Sequence, residues 1–97
     1  MSDVRFSWDE NKAAQNARKH GVSFEEAMSV FWDERAIEFF DPDHSEDEDR
    51  FLMLGISWRL RLLAVHYTVR RGGKQIRIIS ARRATKNESK AYPWIER

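Results

Sequence analysis

Residues 60–81 read LRLLAVHYTVRRGGKQIRIISA, two β-prone runs separated by a turn that contains two glycines. Val, Ile, Tyr and Thr are enriched in strands, and glycines between two such runs are typical of a hairpin. The stretch therefore predicts antiparallel strands over residues 60–69 and 74–81, joined at Arg71-Gly72-Gly73.

Alternation along the second of these strands assigns its side chains to two faces of a sheet. One face would carry Ile76, Ile78 and Ser80, and the other would carry Arg77, Ile79 and Ala81. Arg77 would then share its face with apolar residues.

Two more extended runs precede the hairpin, over residues 36–40 and 50–57. A tight turn at Ser57-Trp58-Arg59 would lead from the second run into the hairpin. The four runs together predict a four-stranded antiparallel sheet, with residues 41–49 as the one obvious loop.

Helices are predicted before and after the strands in the sequence by a repeated capping signal. Three Ser or Thr residues are followed three positions later by glutamate, the spacing of a capping box: Ser7 with Glu10, Ser23 with Glu26, and Thr85 with Glu88. The first helix should end at Gly21, the second near Asp33, and the third after Ala91, before Pro93. The predicted fold class is α+β, with two N-terminal helices, the antiparallel sheet and a short C-terminal helix.

The composition is that of a folded domain, with 41% hydrophobic and 34% charged residues. At 97 residues the chain has room for one domain, residues 1–97. It has no apolar run long enough to span a bilayer, and its first residues, MSDVR, lack the order of a signal peptide, so we expect a cytoplasmic protein. The absence of cysteine excludes disulfides, thiolate metal sites and cysteine nucleophiles.

The net charge of +1 hides a strong asymmetry. Residues 1–50 contain 6 Lys+Arg and 14 Asp+Glu, a balance of −8, whereas residues 51–97 contain 11 and 2, a balance of +9. Clustered cations attract nucleic-acid phosphates. The alternative is that the two halves neutralise each other within the fold or across a dimer, and charge alone does not separate the two.

The acidic loop, residues 41–49, resembles a cation site only superficially. It reads DPDHSEDED and has no glycine at its sixth position for the sharp turn of a calcium loop. We expect a solvated loop, open to a basic partner, and no metal site.

The basic stretch of residues 70–90 is the stronger candidate for chemistry, because Arg and Lys neutralise phosphates and nearby rings can stack on unpaired bases. Arg82 and Arg83 together favour a functional role. For Arg77 the alternative is an ion pair with an acidic residue, and for Tyr92 and Trp94 packing in the core is the favoured interpretation.

Three histidines are available for proton transfer. His20 should end the first helix beside Lys12 and Lys19, where it could donate to a phosphate or simply cap carbonyl groups. His66 lies within an apolar strand and is interpreted as a sheet residue rather than a catalyst. The third, His44, belongs to the acidic loop.

Several segments, in this order and spacing, resemble the BrnT toxin family: WDENK at residues 8–12, NARKHGVSFEEA at 16–27, DPDHS at 41–45, and RIISARRAT at 77–85. The similarity extends from Phe6 to Tyr92. It departs at Pro93-Trp94, which interrupts the helical continuation common in such proteins.

The resemblance implies a RelE-like fold and a metal-independent ribonuclease toxin that needs no cofactor and inhibits translation. It also implies a BrnA-type ribbon-helix-helix antitoxin, with operator DNA bound only through the complex. The residues that match the family's basic and polar positions are Lys12, Lys19, His20, Arg82, Arg83, Glu88 and Tyr92.

These residue types suit RNA cleavage by attack of the 2′-hydroxyl on the adjacent phosphate. Arg82 and Lys12 could stabilise the phosphate charge, and His20 or Glu88 could accept the proton, although Glu88 is equally explained by the capping box. We expect Lys19, Arg77, Arg83 and Tyr92 to bind RNA.

A non-catalytic nucleic-acid-binding or regulatory module could use the same basic face, and an interaction domain with a basic partner is a third interpretation. RNA preference, ribosome dependence, the identity of the base and acid, and a dimer within the complex all stay open.

Overall fold

The computed structural model of the chain describes residues 4–45 and 48–94, so Glu46 and Asp47 of the acidic loop lie outside the described residues. The strands are β1 Arg5–Ser7, β2 Ile37–Asp41, β3 Arg50–Ile56, β4 Leu62–Arg70 and β5 Gln75–Arg83. The helices are α1 Glu10–His20, α2 Phe24–Ser29 and α3 Lys86–Ala91. All five strands form one sheet in the order β1-β5-β4-β3-β2. The α+β class, the two N-terminal helices and the short last helix are confirmed.

The prediction of four antiparallel strands is wrong in one respect, because the sheet has a fifth strand that makes it mixed. β1 pairs with β5 in parallel, and the backbone N–H of Arg5 donates to the carbonyl of Lys74 at 2.8 Å. Ser7, predicted as a helix cap, lies in this strand. The cap of α1 is Asp9, whose carboxylate accepts from the N–H groups of Asn11 and Lys12 at 2.8 and 3.1 Å. Three residues are too few for a periodic pattern, so the sequence carried no strand signal there.

The hairpin of β4 and β5 is confirmed at Arg71–Gly73, but it contains a β-bulge. Tyr67 pairs with Ile78 whereas His66 pairs with Ser80, so Ile79 is the extra residue. Beyond the bulge each side chain of β5 changes face relative to strict alternation. The prediction that Arg77 and Ala81 share a face is therefore wrong.

The two faces of the sheet have different coverings. One face packs against α1 and α2. The main core between this face and the helices contains the buried residues Val22, Phe24, Ala27, Val30, Leu63, Val65, Ile78 and Ala81. The other, which we call the open face, carries Leu52, Leu54, Ala64, His66, Thr68, Arg77, Ser80 and Arg82 by register. A smaller cluster of Leu54, Ala64 and Tyr92 covers one end of it, just after α3.

A side chain of α1 completes the edge of β5 where β1 ends. The Asn16 amide donates to the carbonyl of Ala81 at 2.8 Å and accepts from its N–H at 3.0 Å. It also donates to the carbonyl of Val22 at 2.9 Å. These bonds reproduce what a neighbouring strand would offer, because buried backbone groups need partners.

A buried ion pair holds α2 on the turn between β3 and β4. Glu26 bonds to Arg61, whose Nε lies 2.9 Å away, and to the Ser57 hydroxyl at 2.7 Å. Burial alone raises the pKa of Glu26, but the bonds from Arg61 and Ser57 outweigh it and hold the pKa below its usual value. In the ranges 4–45 and 48–94, no helix has the length and apolar character needed to span a membrane.

Candidate functional site

A charged pair joins the end of β5 to α3. The NH1 and NH2 groups of Arg82 donate to the two carboxylate oxygens of Glu88 at 2.8 and 2.9 Å. The same carboxylate accepts from the N–H of Thr85 at 2.9 Å, which confirms the predicted capping box. Arg82 is therefore fixed in one orientation while 33% of its side chain stays exposed.

The Glu88 carboxylate is a poor proton acceptor in this setting. Its hydrogen bond with Arg82 is the main cause that lowers its pKa to about 2, against the opposing effect of burial. Arg82 in turn has a raised pKa, chiefly through the same hydrogen bond. The pair is neutral as a whole, and the carboxylate holds the Arg82 guanidinium in place.

His66 lies at the centre of the open face, between Leu52 on β3 and Ser80 on β5. Burial lowers the pKa of its imidazole below 6.5, and the nearby Arg82 and Arg50 lower it further. Asp41 and Glu88 act in the opposite direction without reversing the shift. The ring is therefore neutral at pH 7. The sequence placed His66 in a strand, but it could not show that Ser80 lies opposite, because the bulge left no signal in the pattern.

Two polar atoms of the open face are buried without a hydrogen-bond partner among the described residues: Arg50 Nε and Thr68 Oγ1. Arg50 and Thr68 are direct neighbours in the register of β3 and β4, and Thr68 also pairs with Arg77. Unsatisfied buried groups are uncommon and often mark a place where a ligand or water binds.

The three predicted site residues of α1 lie beside β5, at the edge of the open face. Lys12, Lys19 and His20 line a cavity of about 240 Å³ together with Ser80 and Ile79. Because Ser80 is also the partner of His66, this basic cavity adjoins the centre of the open face.

The remaining predicted residues are not all on the same surface. Arg77 is on the open face, whereas Arg83 pairs with Leu63 and is exposed on the opposite face. The Tyr92 ring is 6% exposed in the smaller cluster, and its hydroxyl donates to Asp33 at 2.6 Å. Burial and this bond raise the pKa of Tyr92 to about 12. The structure therefore joins Arg82 to Glu88 and places Arg77 farther along the same face. Arg83 lies on the opposite face, and Tyr92 is buried at the end of the open face near Ala64.

No group of three or more His, Asp or Glu side chains able to hold a metal ion occurs within the part of the chain that the structure describes. In the acidic loop, Glu48 forms an ion pair with Arg70, and this hydrogen bond lowers the pKa of Glu48.

A larger, more apolar groove of about 470 Å³ lies between α2 and the turn after β3. Trp32 and Trp58, each 65% exposed, line it together with Met28 and Ile56. The groove also contains the carboxylates of Glu25 and Asp33, but its lining among the described residues includes no histidine, lysine or arginine, so we regard the open face as the better candidate for RNA chemistry.

Two comparisons with known proteins found a match, one to a family and one to a solved structure. The sequence model of the family described as ribonuclease toxin, BrnT, of type II toxin-antitoxin systems matches residues 8–88. A 1.1 Å crystal structure of the Brucella abortus ribonuclease toxin BrnT superposes with a TM-score of 0.63 at 25% identity, over 86% of this chain and 99% of that one. No curated protein matches the sequence.

Proposed function

This chain belongs to the BrnT family of ribonuclease toxins of type II toxin-antitoxin systems, and on that basis we propose that its open face cleaves RNA without a metal ion. Cleavage of messenger RNA in the cytoplasm would then inhibit translation. The observation that carries this proposal is the Arg82 guanidinium, which Glu88 orients on a face lined by further cations.

In the proposed reaction the 2′-hydroxyl oxygen of one nucleotide attacks the phosphorus atom that joins it to the next. The bond from oxygen 2′ to phosphorus forms, the bond from phosphorus to oxygen 5′ breaks, and the two cleaved ends are a 2′,3′-cyclic phosphate and a free 5′-hydroxyl. Negative charge on the phosphoryl oxygens grows in the transition state, and a positioned guanidinium stabilises it. Arg82 serves this role.

The RNA backbone on either side of the cleaved bond follows the cations that adjoin Arg82. Arg77 extends the open face along β5, and Lys12, Lys19 and His20 line the cavity at its edge. Each phosphate contact adds affinity that falls with salt. Arg83 lies on the opposite face and Tyr92 is buried, so a direct contact with the same RNA segment is not part of this proposal.

The test is RNA cleavage by the purified protein in the presence of EDTA, with Arg82→Ala compared against Arg83→Ala. We expect Arg82→Ala to lose about 100-fold to 1000-fold in rate, the usual cost of one donor to a transition-state anion. Arg83→Ala removes the same charge from the opposite face and should stay within a few fold of the parent.

Thermal denaturation must accompany this assay, because Arg82 also anchors α3. A folded Arg82→Ala protein that cleaves at the parental rate would remove Arg82 from the site. A parent protein that cuts neither free RNA nor RNA on translating ribosomes, yet binds it, would contradict the ribonuclease proposal and support a non-catalytic binding module.

We propose in addition that the antitoxin is a BrnA-like ribbon-helix-helix protein and that operator DNA is bound only through the complex. Membership of a toxin-antitoxin family supports the partner. The exposed aromatic side chains Phe39 and Phe40 on the edge strand β2 support it as well, since proteins seldom leave an apolar strand edge uncovered.

A further inference from the structure

The reaction proposed above needs a proton acceptor, and the two residues that the sequence offered for it are poorly placed. The Glu88 carboxylate is occupied by hydrogen bonds from Arg82 and Thr85, and its pKa of about 2 makes it a weak base. His20 ends α1 in the cavity at the sheet edge, beside two lysines rather than beside Arg82.

His66 has the position that these two residues lack. It lies on the open face, on the strand next to Arg82, opposite Ser80. No hydrogen bond of its ring is found within residues 4–45 and 48–94, so a ring nitrogen can accept a proton. The buried Arg50 Nε and Thr68 Oγ1, which have no partner among the described residues, lie two residues farther along the same face.

We propose that His66, as neutral imidazole, is the catalytic base that takes the proton of the attacking 2′-hydroxyl, an inference that rests on the ribonuclease function proposed above. The proton moves from oxygen 2′ to a ring nitrogen as oxygen 2′ bonds to phosphorus. The departing oxygen 5′ takes a proton from water, and the imidazolium returns its proton to solvent.

The charged groups around His66 suit this role. Burial is the largest effect and disfavours protonation of the ring, and the charges of Arg82 on β5 and Arg50 on β3 add to it. Asp41 on β2 and Glu88 on α3 favour protonation. The pKa of His66 therefore lies below 6.5. At neutral pH the His66 ring is therefore mostly in its unprotonated form, which can act as a base. Arg82 and Arg50, which help to keep the ring unprotonated, can also bind the phosphate.

The experiment is a pH profile of single-turnover RNA cleavage for the parent, His66→Gln and His20→Gln. For the parent we expect a rate that rises with pH through an acid limb below pH 6.5 and then stays level. His66→Gln should lose about 100-fold to 10,000-fold in the single-turnover rate at saturating enzyme and should lack this limb. His20→Gln should keep the acid limb, whatever its effect on RNA affinity.

A second measurement does not depend on the variant's folding. The pKa of the His66 ring in the parent, from an NMR titration, should coincide with the kinetic acid limb. A parent that cleaves no RNA overturns the proposed function itself. A parent that cleaves while His66→Gln keeps its rate or its acid limb, or loses only affinity, overturns this inference alone, and so does a His66 pKa that differs from the limb.

Discussion

The carboxylate of Glu88 makes two kinds of contact at once. It closes the capping box of α3 and at the same time orients Arg82. From the sequence, Glu88 was either a capping residue or a proton acceptor. The structure confirms the cap and shows that the same carboxylate also binds Arg82, because the end of β5 lies beside the first turn of α3.

The low pKa of Glu88 predicts a pH dependence of stability. Its pKa is about 2 in the folded chain against an ordinary value of 4.5, so its ionised form stabilises the fold. This contribution is complete above pH 4.5 and is lost as the pH falls from 4.5 to about 2. We expect Glu88→Gln to lower the melting temperature at pH 7 and the difference from the parent to shrink towards pH 2.

The matched control is Glu25→Gln, which removes an exposed carboxylate from α2. Melting curves between pH 2 and 7 for the three proteins provide the comparison. An equal difference between Glu88→Gln and the parent at every pH would mean that the Arg82 pair adds nothing to stability.

At the scale of elements, the side-chain amide of Asn16 links α1 to the sheet edge at β5. Asn16→Ala would leave the buried N–H and carbonyl groups of Ala81 without partners. Each such group costs about 1–3 kcal/mol. We expect the melting temperature to fall by roughly 10 °C or more, since about 1 kcal/mol corresponds to about 4–8 °C in a domain of this size.

Asn11→Ala is the control for this variant, because Asn11 is an exposed asparagine on the same helix. It is the same substitution, at a position whose side chain makes no hydrogen bond to a strand among the described residues. Equal melting temperatures for the two variants would show that the Asn16 bonds are replaced by water at no cost.

The sequence predicted those elements whose signals are local. The glycine turn located the β4–β5 hairpin, and Ser23 and Thr85 capped α2 and α3 as their spacing indicated. β1 could not be predicted, because its three residues acquire strand structure only from a parallel partner about 70 positions away. The bulge that sets His66 opposite Ser80 arises from packing on both faces of the sheet and has no pattern of its own.

At the scale of the whole molecule, clustered charges of opposite sign lie towards opposite edges of the sheet. Cations from α1 and β5 lie towards the β1 side, and the acidic loop follows β2 at the other edge. Composition showed that the charges were divided but not that the division crosses the sheet. The site that we propose lies on the basic side, and we expect a basic partner to meet the acidic side.

This division predicts the behaviour of the toxin with its antitoxin. Expressed alone, the chain should arrest growth, and co-expression with a neighbouring ribbon-helix-helix protein should relieve the arrest and yield a complex that co-purifies. An unrelated ribbon-helix-helix protein is the control and should do neither. If the neighbouring protein fails in both respects, the proposed partner is wrong, while the cleavage assay on purified toxin stands independently.

The contact between α1 and β5 also bears on when, during synthesis of the chain, the proposed site can form. Asn16 is made early, but the strand that it binds lies 65 residues later. The ribosome therefore extrudes the basic helix long before His66 and Arg82, and the sheet edge closes only when β5 has emerged. A nascent chain released before residue 82 carries neither Arg82 nor Glu88, and on the role that we propose for Arg82 we expect such a fragment not to cleave RNA.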